Sequence, residues 1–585
     1  MKKIICLLLC GVLIVGCGKS NQEVKVERNK EFDQYLENEF KELLNESYIN
    51  LHFSVENPEN YGIELNPDEV KIDDFFDESD FEETRNEYKE AIETLNSFDY
   101  ESLSPSQKNI YDHLSWEYDL NLKLNDKKYD YYYQPFESMS GLHTQLPTLF
   151  SDYQFYSEVD LQCFIAIMEQ VDEYIASYIH YGEIQLSKSL TMIDTDSIRT
   201  HCEDIVAAKE DSSILKSIYK NIDALSLDEE VSKQYKEEVK QAFVENFIVA
   251  YEDILDYVDK VDESGNNNEA GYAYFPNGAN YYELLLQLNT GTNLDLEDIL
   301  TLIDEAYQDE MRKLTILAIK NSEAFEKISM NEVPTTNFTS YEEMIEKMKN
   351  SISEDFPKIK EHDYVIFDMD KEVATEGIAA YFYTPAVDST KPRQMRVNPN
   401  NANEMNAYST FNTIAHEGIP GHMYHYNFLY DNVETDFEKV CMKNNALTEG
   451  FAVYAASYAN NYLDDADKDF INTYESANIL SYYMILLADI NIHANYWIEE
   501  DLTELFGEIP ELNELYKQLQ ANPGCFFPYY FGYAKINNLK AKMEKALDDQ
   551  YSHKDFIQVL LENGNVNFDI IEKHIDAYIE SKTKK

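Results

Sequence analysis

The chain has 585 residues, with 110 Asp and Glu against 48 Lys and Arg, a formal net charge of −62. That charge argues against a nucleic-acid partner, because phosphates would be repelled from almost every face. A hydrophobic fraction of 44% argues equally against a disordered acidic chain and supplies material for a large core.

Only 18 Gly and 15 Pro punctuate this length, which favours long helices over many short strands. At the start, Lys2 and Lys3 precede an apolar run of 12 residues, Ile4 to Val15. A membrane-spanning helix needs ~20, so this is an export leader. The leader closes on Ile14-Val15-Gly16-Cys17, which resembles the lipobox where bacterial lipoproteins are cleaved and lipidated on the cysteine. An ordinary secretory signal is the competing reading. Lipid on Cys17 would anchor the chain to a membrane, facing outside the cytoplasm, with polar residues 17–28 as lipidated cysteine and tether. Removal of residues 1–16 takes two lysines, so the mature charge is −62 − 2 = −64, read as a solvated acidic surface. The later cysteines, Cys163, Cys202, Cys441 and Cys525, form no CxxC, so neither a disulfide framework nor a thiolate metal site is expected.

From about Asn29 to Asp256 the pattern is helical and acidic; Phe164, Met168, Val171, Tyr174, Ile175 and Tyr178 fall at helical spacing. The isolated His113, His143, His180 and His201 read as structural or surface histidines. Ser264-Gly265-Asn266-Asn267-Asn268 is a turn, followed by an irregular aromatic segment, Tyr274 to Tyr282, and a helix over Leu294 to Ile319. Alternating small and aromatic residues near Thr375 to Tyr383 predict a short strand.

The chemistry concentrates in Asn406 to Ala459. A helix with Phe411, Ile414 and Ala415 on one face ends in His416-Glu417-Gly418-Ile419-Pro420-Gly421-His422. His-Glu on such a helix opens the zinc-protease pattern HExxH, in which two histidines hold zinc and the glutamate serves as base. Here the second histidine comes at i+6. On an unbroken helix it would point about 120° away from the first, but Pro420 and Gly421 interrupt the helix and make the spacing workable. His425, one turn beyond His422, is a competing ligand. Glu449, 27 residues after His422, lies in the apolar helix Leu447 to Tyr454; a lone carboxylate there is costly unless paired or metal-bound.

His416-Glu417-x-x-Pro420-Gly421-His422 followed by Glu449-Gly450-Phe451-Ala452-x-Tyr454 resembles the bacterial family called domain of unknown function 885, which typically shows HExxPGHH and EGWAxY. Pro276-Asn277-Gly278 with Tyr281-Tyr282, Ala380-Tyr381 through Arg396-Val397-Asn398, Asp489 to His493 with Trp497, and Pro523-Gly524 with Tyr529 and Gly532 resemble further family blocks in matching order. The family is similar to helical glutamate-ligand zinc peptidases. The resemblance implies zinc on His416, His422 and Glu449, Glu417 as general base, His493 and Tyr529 as catalytic candidates, and Tyr381 and Arg396 as substrate-binding candidates. Met423, His425, Phe451 and Asn491 depart from the family pattern; none is among the four core residues His416, Glu417, His422 and Glu449, so they bear on substrate preference.

The expectation is a mainly α fold: one large helical, metallopeptidase-like unit over 29–585, with halves 29–262 and 263–585 around a deep cleft and a few short strands near the metal motif. The expected function is a lipid-anchored zinc peptidase acting on peptides. The alternatives are a non-catalytic peptide- or solute-binding lipoprotein and a metal hydrolase acting on a non-peptide amide. No GxSxG, Walker A or GxGxxG pattern supports another chemistry.

Overall fold

A computed structural model describes residues 27–374, 378–400, 404–464 and 467–584. Cys17 and its leader lie outside these residues, as do Thr375 and Gly377 of the expected strand. The protein is mainly helical, 68% helix and 3% strand, and the described residues include one three-stranded sheet. No described helix is long and apolar enough to cross a membrane.

Eight helices matter for the site: α1 (Leu142–Asp152), α2 (Gly278–Thr290), α3 (Leu296–Lys320), α4 (Tyr408–Glu417), α5 (His422–Asn432), α6 (Asn445–Ala459), α7 (Lys468–Ala494) and α8 (Phe527–Leu547). The strands are β1 (Tyr364–Asp368), β2 (Ala380–Tyr383) and β3 (Arg393–Val397). The helix expected through Phe164 and Tyr178 is two helices, Glu158–Met168 and Val171–Ser187. At the break, the Gln170 side chain donates to Val70 O and Ala166 O and accepts from Ile72 N. A tertiary contact thus decides where the helix turns. His113, His143 and His201 behave as structural histidines: His113 Nδ1 accepts from Asn567 N, and His201 Nε2 donates to His143 O.

One hydrophobic cluster runs from Phe32 to Ile575, and a smaller one gathers Ala488, Ile492, Leu502 and Leu519. In the sheet β3 is central, parallel to β1 and antiparallel to β2. All five β3 residues are buried, as suits a strand covered on both faces. The register sets Tyr381 opposite Arg396 and Phe382 opposite Met395. Successive side chains alternate faces, so Tyr381 and Arg396 share one face, and Phe382 and Met395 the other.

Helices α6 and α8 cross at Gly450 and Gly532. A Cβ on Gly532 would overlap the Ala446 carbonyl oxygen, and one on Gly450 would overlap the Gly532 backbone. This close crossing sets α8 directly beside Glu449. Gly532→Ala is expected to lower stability by about 1–3 kcal/mol through forced helix separation, seen as a lower thermal unfolding midpoint.

Candidate metal centre

Helix α4 delivers His416 and Glu417 at its last turn. Gly418 leaves the helical region, the Ile419–Pro420 peptide is cis, and the chain doubles back so that Gly421 N donates to Ala415 O at 2.9 Å. A Cβ at Gly421 would overlap the His416 carbonyl oxygen, so glycine is required for the return. Helix α5 then starts at His422. The rings of His416 and His422 stand perpendicular with centroids 4.7 Å apart. The Pro-Gly interruption therefore brings together two histidines that a straight helix would separate.

Helix α6 supplies Glu449. Its Oε2 lies 3.5 Å from His416 Nε2 and 3.3 Å from His422 Nε2. Glu417 Oε1 lies 3.8 Å from His416 Nε2. Its Oε2 accepts the Phe382 N–H at 2.8 Å, from the edge of β2 that does not pair with β3. One carboxylate oxygen of Glu417 is thus tethered to the sheet while the other faces the histidines.

Two donor sets arise from these atoms. His416, Glu417 and His422 each place a ligand atom within 4.8 Å of the others; Glu449 offers the second set. Bonds of ~2.0–2.1 Å in a tetrahedral zinc site put neighbouring donor atoms roughly 3.3–3.4 Å apart. The Glu449 separations match that figure and the Glu417 separation exceeds it. Two imidazole nitrogens and a carboxylate oxygen are also the donor types of an open zinc site. The residues therefore fit zinc, with His416, His422 and Glu449 as holders and Glu417 alongside.

The electrostatics separate the two glutamates. Burial pushes the Glu417 carboxyl up to about 7; Glu449 adds to the rise, while His416 and the Phe382 N–H oppose it. Burial also acts upward on Glu449, but His422 and His416 outweigh it and hold that carboxyl well below the usual range. In the metal-free protein the raised Glu417 value has a measurable consequence. The folded value lies above the unfolded value of 4.5, so the neutral carboxyl's contribution is full below pH 4.5 and lost as pH rises through about 7, amounting to about 3 kcal/mol. Urea midpoints of the metal-free wild type are expected to fall relative to those of Glu417→Gln across that window.

Tyr529, in the first turn of α8, lies nearly parallel to the His416 ring with centroids 6.2 Å apart. Burial and the nearby Glu449 and Glu417 charges push its phenol well above its ordinary value, so it remains a neutral O–H donor.

Other expected site residues are placed differently. His425 is buried, and burial pushes it down to about 3; Asn565 lies at its ring. It does not join the donor group among the described residues. His493 is fully buried with both nitrogens committed to backbone: Nδ1 accepts the Tyr272 N–H at 3.1 Å, and Nε2 donates to Leu519 O at 3.0 Å. The expectation of a catalytic His493 is corrected accordingly, since no ring nitrogen is left for substrate. Tyr381 and Arg396 do meet, but on Asp152 of α1: Tyr381 O–H donates to Oδ2 at 2.5 Å and Arg396 Nε to Oδ1 at 2.8 Å. They join the sheet to α1, which corrects the expectation that these groups are free for substrate.

Sequence reasoning missed Asp152 and the Phe382 N–H. Asp152 stands in Phe150-Ser151-Asp152-Tyr153, where an acid amid aromatic residues was the only signal; a backbone N–H leaves none. A cavity of about 540 Å³ lined by His52, Tyr156 and Asp160 contains none of the cluster residues. Donor chemistry, rather than cavity volume, locates the site.

The fold and site define a mainly helical protein with a two-histidine, two-glutamate cluster at a broken helix. The chain belongs to the family described as "Bacterial protein of unknown function (DUF885)", whose model matches residues 59–575. It is similar in structure to a protein from Colwellia psychrerythraea provisionally described as a lipoprotein, with TM-score 0.79 and 16% identity over 94% of this chain and 99% of that one. A second such protein, from Shewanella oneidensis and described as of unknown function, aligns with TM-score 0.60 and 14% identity over 94% and 99% of the two chains. These likenesses show the fold. A protein of Bacillus anthracis str. Ames provisionally described as an oligoendopeptidase F aligns at 11% identity over 87% and 97%, with a TM-score of only 0.33. No curated protein matches the chain.

Proposed function

We propose that this protein is a zinc-dependent peptidase, lipid-anchored through Cys17 on the outer face of the cell membrane. The observation that carries the enzymatic reading is the shared approach of His416 Nε2 and His422 Nε2 to one Glu449 oxygen, with the Glu417 carboxylate beside them. A structural ion pair needs no second, burial-raised carboxylate at the same point; a hydrolase needs a base there.

His416, His422 and Glu449 hold the ion, which when bound supplies Lewis acidity that polarises an acyl oxygen and lowers the pKa of water. Glu417 takes a proton from the attacking water on Oε1 while Oε2 stays on the Phe382 N–H, so the base keeps its aim through the reaction. It then gives the proton to the leaving amine, completing amide cleavage to a carboxylic acid and an amine. Tyr529, neutral and set against His416, is placed to donate to the oxygen that gains charge.

The test is incubation of the soluble chain (residues 18–585), loaded with zinc, with a mixed peptide library read by mass spectrometry. Cleavage at peptide bonds, abolished by a chelator, is expected. Saturable binding without cleavage would transfer the reading to a peptide-binding lipoprotein, and cleavage confined to non-peptide amides would change the substrate class.

A further inference from the structure

We infer that Asp489 is a positioning residue for Tyr529, acting through the backbone turn that starts α8. Asp489 and His493 stand one turn apart on α7 and face the same way. Asp489 is 1% exposed and has no ion pair among the described residues. Its carboxylate accepts the Tyr282 O–H from α2 and, at 3.2 and 3.0 Å on its two oxygens, the Gly524 N–H. A buried carboxylate without a cation costs several kcal/mol, and the groups it holds show what that cost secures.

Gly524 lies in the turn that feeds α8. Its carbonyl accepts from Phe527 N at 3.2 Å and from Asn289 Nδ2 at 3.3 Å. Both sides of this residue are therefore fixed, the N–H by α7 and the carbonyl by α2 and by the first residue of α8. Tyr529 follows five positions later, within the first helical turn. Helix α8 is held again further along, where Gly532 meets Gly450. Between these two points Tyr529 faces His416. His493 supports the same framework from the next turn, tying Tyr272 N to Leu519 O and stacking on Tyr282 with centroids 5.0 Å apart. A hydrogen-bonded turn fixes the azimuth of the helix it starts, so a shift at Gly524 rotates the Tyr529 hydroxyl relative to the histidines.

This inference rests on the reading of Tyr529 as part of the reactive centre, so two of its three readouts do not use activity. In Asp489→Asn, an amide N–H2 or a single oxygen replaces the bidentate acceptor of the Gly524 N–H. Hydrogen exchange at the Gly524 amide is expected to quicken at least about tenfold, and the 19F resonance of 3-fluorotyrosine placed at position 529 is expected to shift. With the peptide cleaved fastest in the library, kcat is expected to fall about tenfold with KM changed less than about twofold. In a Tyr529→Phe background the same substitution is expected to cost less than about twofold, because coupled residues are non-additive. An unchanged Gly524 exchange rate and an unmoved 529 resonance would overturn the inference whether or not any peptide is cleaved. So would a loss of kcat that persists in full in Tyr529→Phe, which would indicate a general structural role. If no peptide is cleaved by the zinc-loaded native chain, the peptidase reading fails while exchange and fluorine shifts still decide the positioning role. Should Asp489→Asn fail to fold, Asn289→Ala releases the other side of Gly524 and is read by the same exchange rate, resonance and double-variant comparison.

Discussion

Replacing Glu417 with glutamine is expected to reduce peptide hydrolysis at least about 100-fold while leaving bound zinc unchanged. General acid–base groups contribute about 10²–10⁴-fold, and the glutamine amide cannot accept the proton from water. The substitution is geometrically conservative. A glutamine oxygen can still accept the Phe382 N–H now held at 2.8 Å by Oε2, so β2 and α4 keep their contact. The proposed metal holders, His416, His422 and Glu449, do not change. Steady-state rates beside metal content by elemental analysis separate the two effects. An unchanged rate in a zinc-loaded variant would remove Glu417 as base, and loss of metal would place Glu417 among the ligands in the manner of the alternative donor set.

Glu449→Ala is expected to abolish stoichiometric zinc binding. Removing even an outer partner of a metal ligand costs about 10- to 100-fold in affinity, and Glu449 is the group on which both imidazoles converge at 3.3 and 3.5 Å. Native protein is expected to hold about one zinc per chain and to lose thermal stability on chelation, because a ligand at 100 times its Kd contributes about 2.7 kcal/mol. The variant's unfolding midpoint should not respond to chelator. Glu417 should also titrate lower in this variant, because it loses a neighbouring negative charge that adds to its rise. Full zinc occupancy in Glu449→Ala would sink the ligand assignment. His425→Ala is the natural comparison, since its side chain sits against Asn565 and outside the donor group, and it should retain the ion.

The residues of the cluster were readable because short-range rules governed them. His-Glu at the end of an amphipathic helix, a Pro-Gly break before the next histidine, and a carboxylate in an apolar helix each carry a physical implication within a few residues. The break even solved its own problem of spacing, since Gly421 is the residue that lets the chain return over His416. What the motif did not disclose was which partner each polar group would meet. His493 carries an imidazole as apt for catalysis as that of His416, yet its nitrogens are taken by Tyr272 and Leu519, 221 and 26 residues away. Tyr381 fell on the one predicted strand, but the strand that carries Arg396 was not foreseen, and Asp152, 244 residues from Arg396, occupies the polar ends of both.

The amino-acid sequence by itself determined the helical class, through scarce glycine and proline and 3.6-residue periodicity, and the identity of the four groups that converge on the candidate metal centre. The helical class and the His416–His422 pairing follow from interactions between residues near one another in the chain; Glu449, 27 residues further on, was singled out by its apolar surroundings and by the family resemblance. Only the tertiary structure decided how those groups are aimed: the Phe382 N–H that tethers Glu417, the Gly450–Gly532 crossing that sets α8 beside Glu449, and the Asp489–Gly524 contact behind Tyr529. These depend on backbone atoms common to every residue and on close approach between distant segments. Neither leaves a local pattern, because the energy that selects them comes from packing the whole chain.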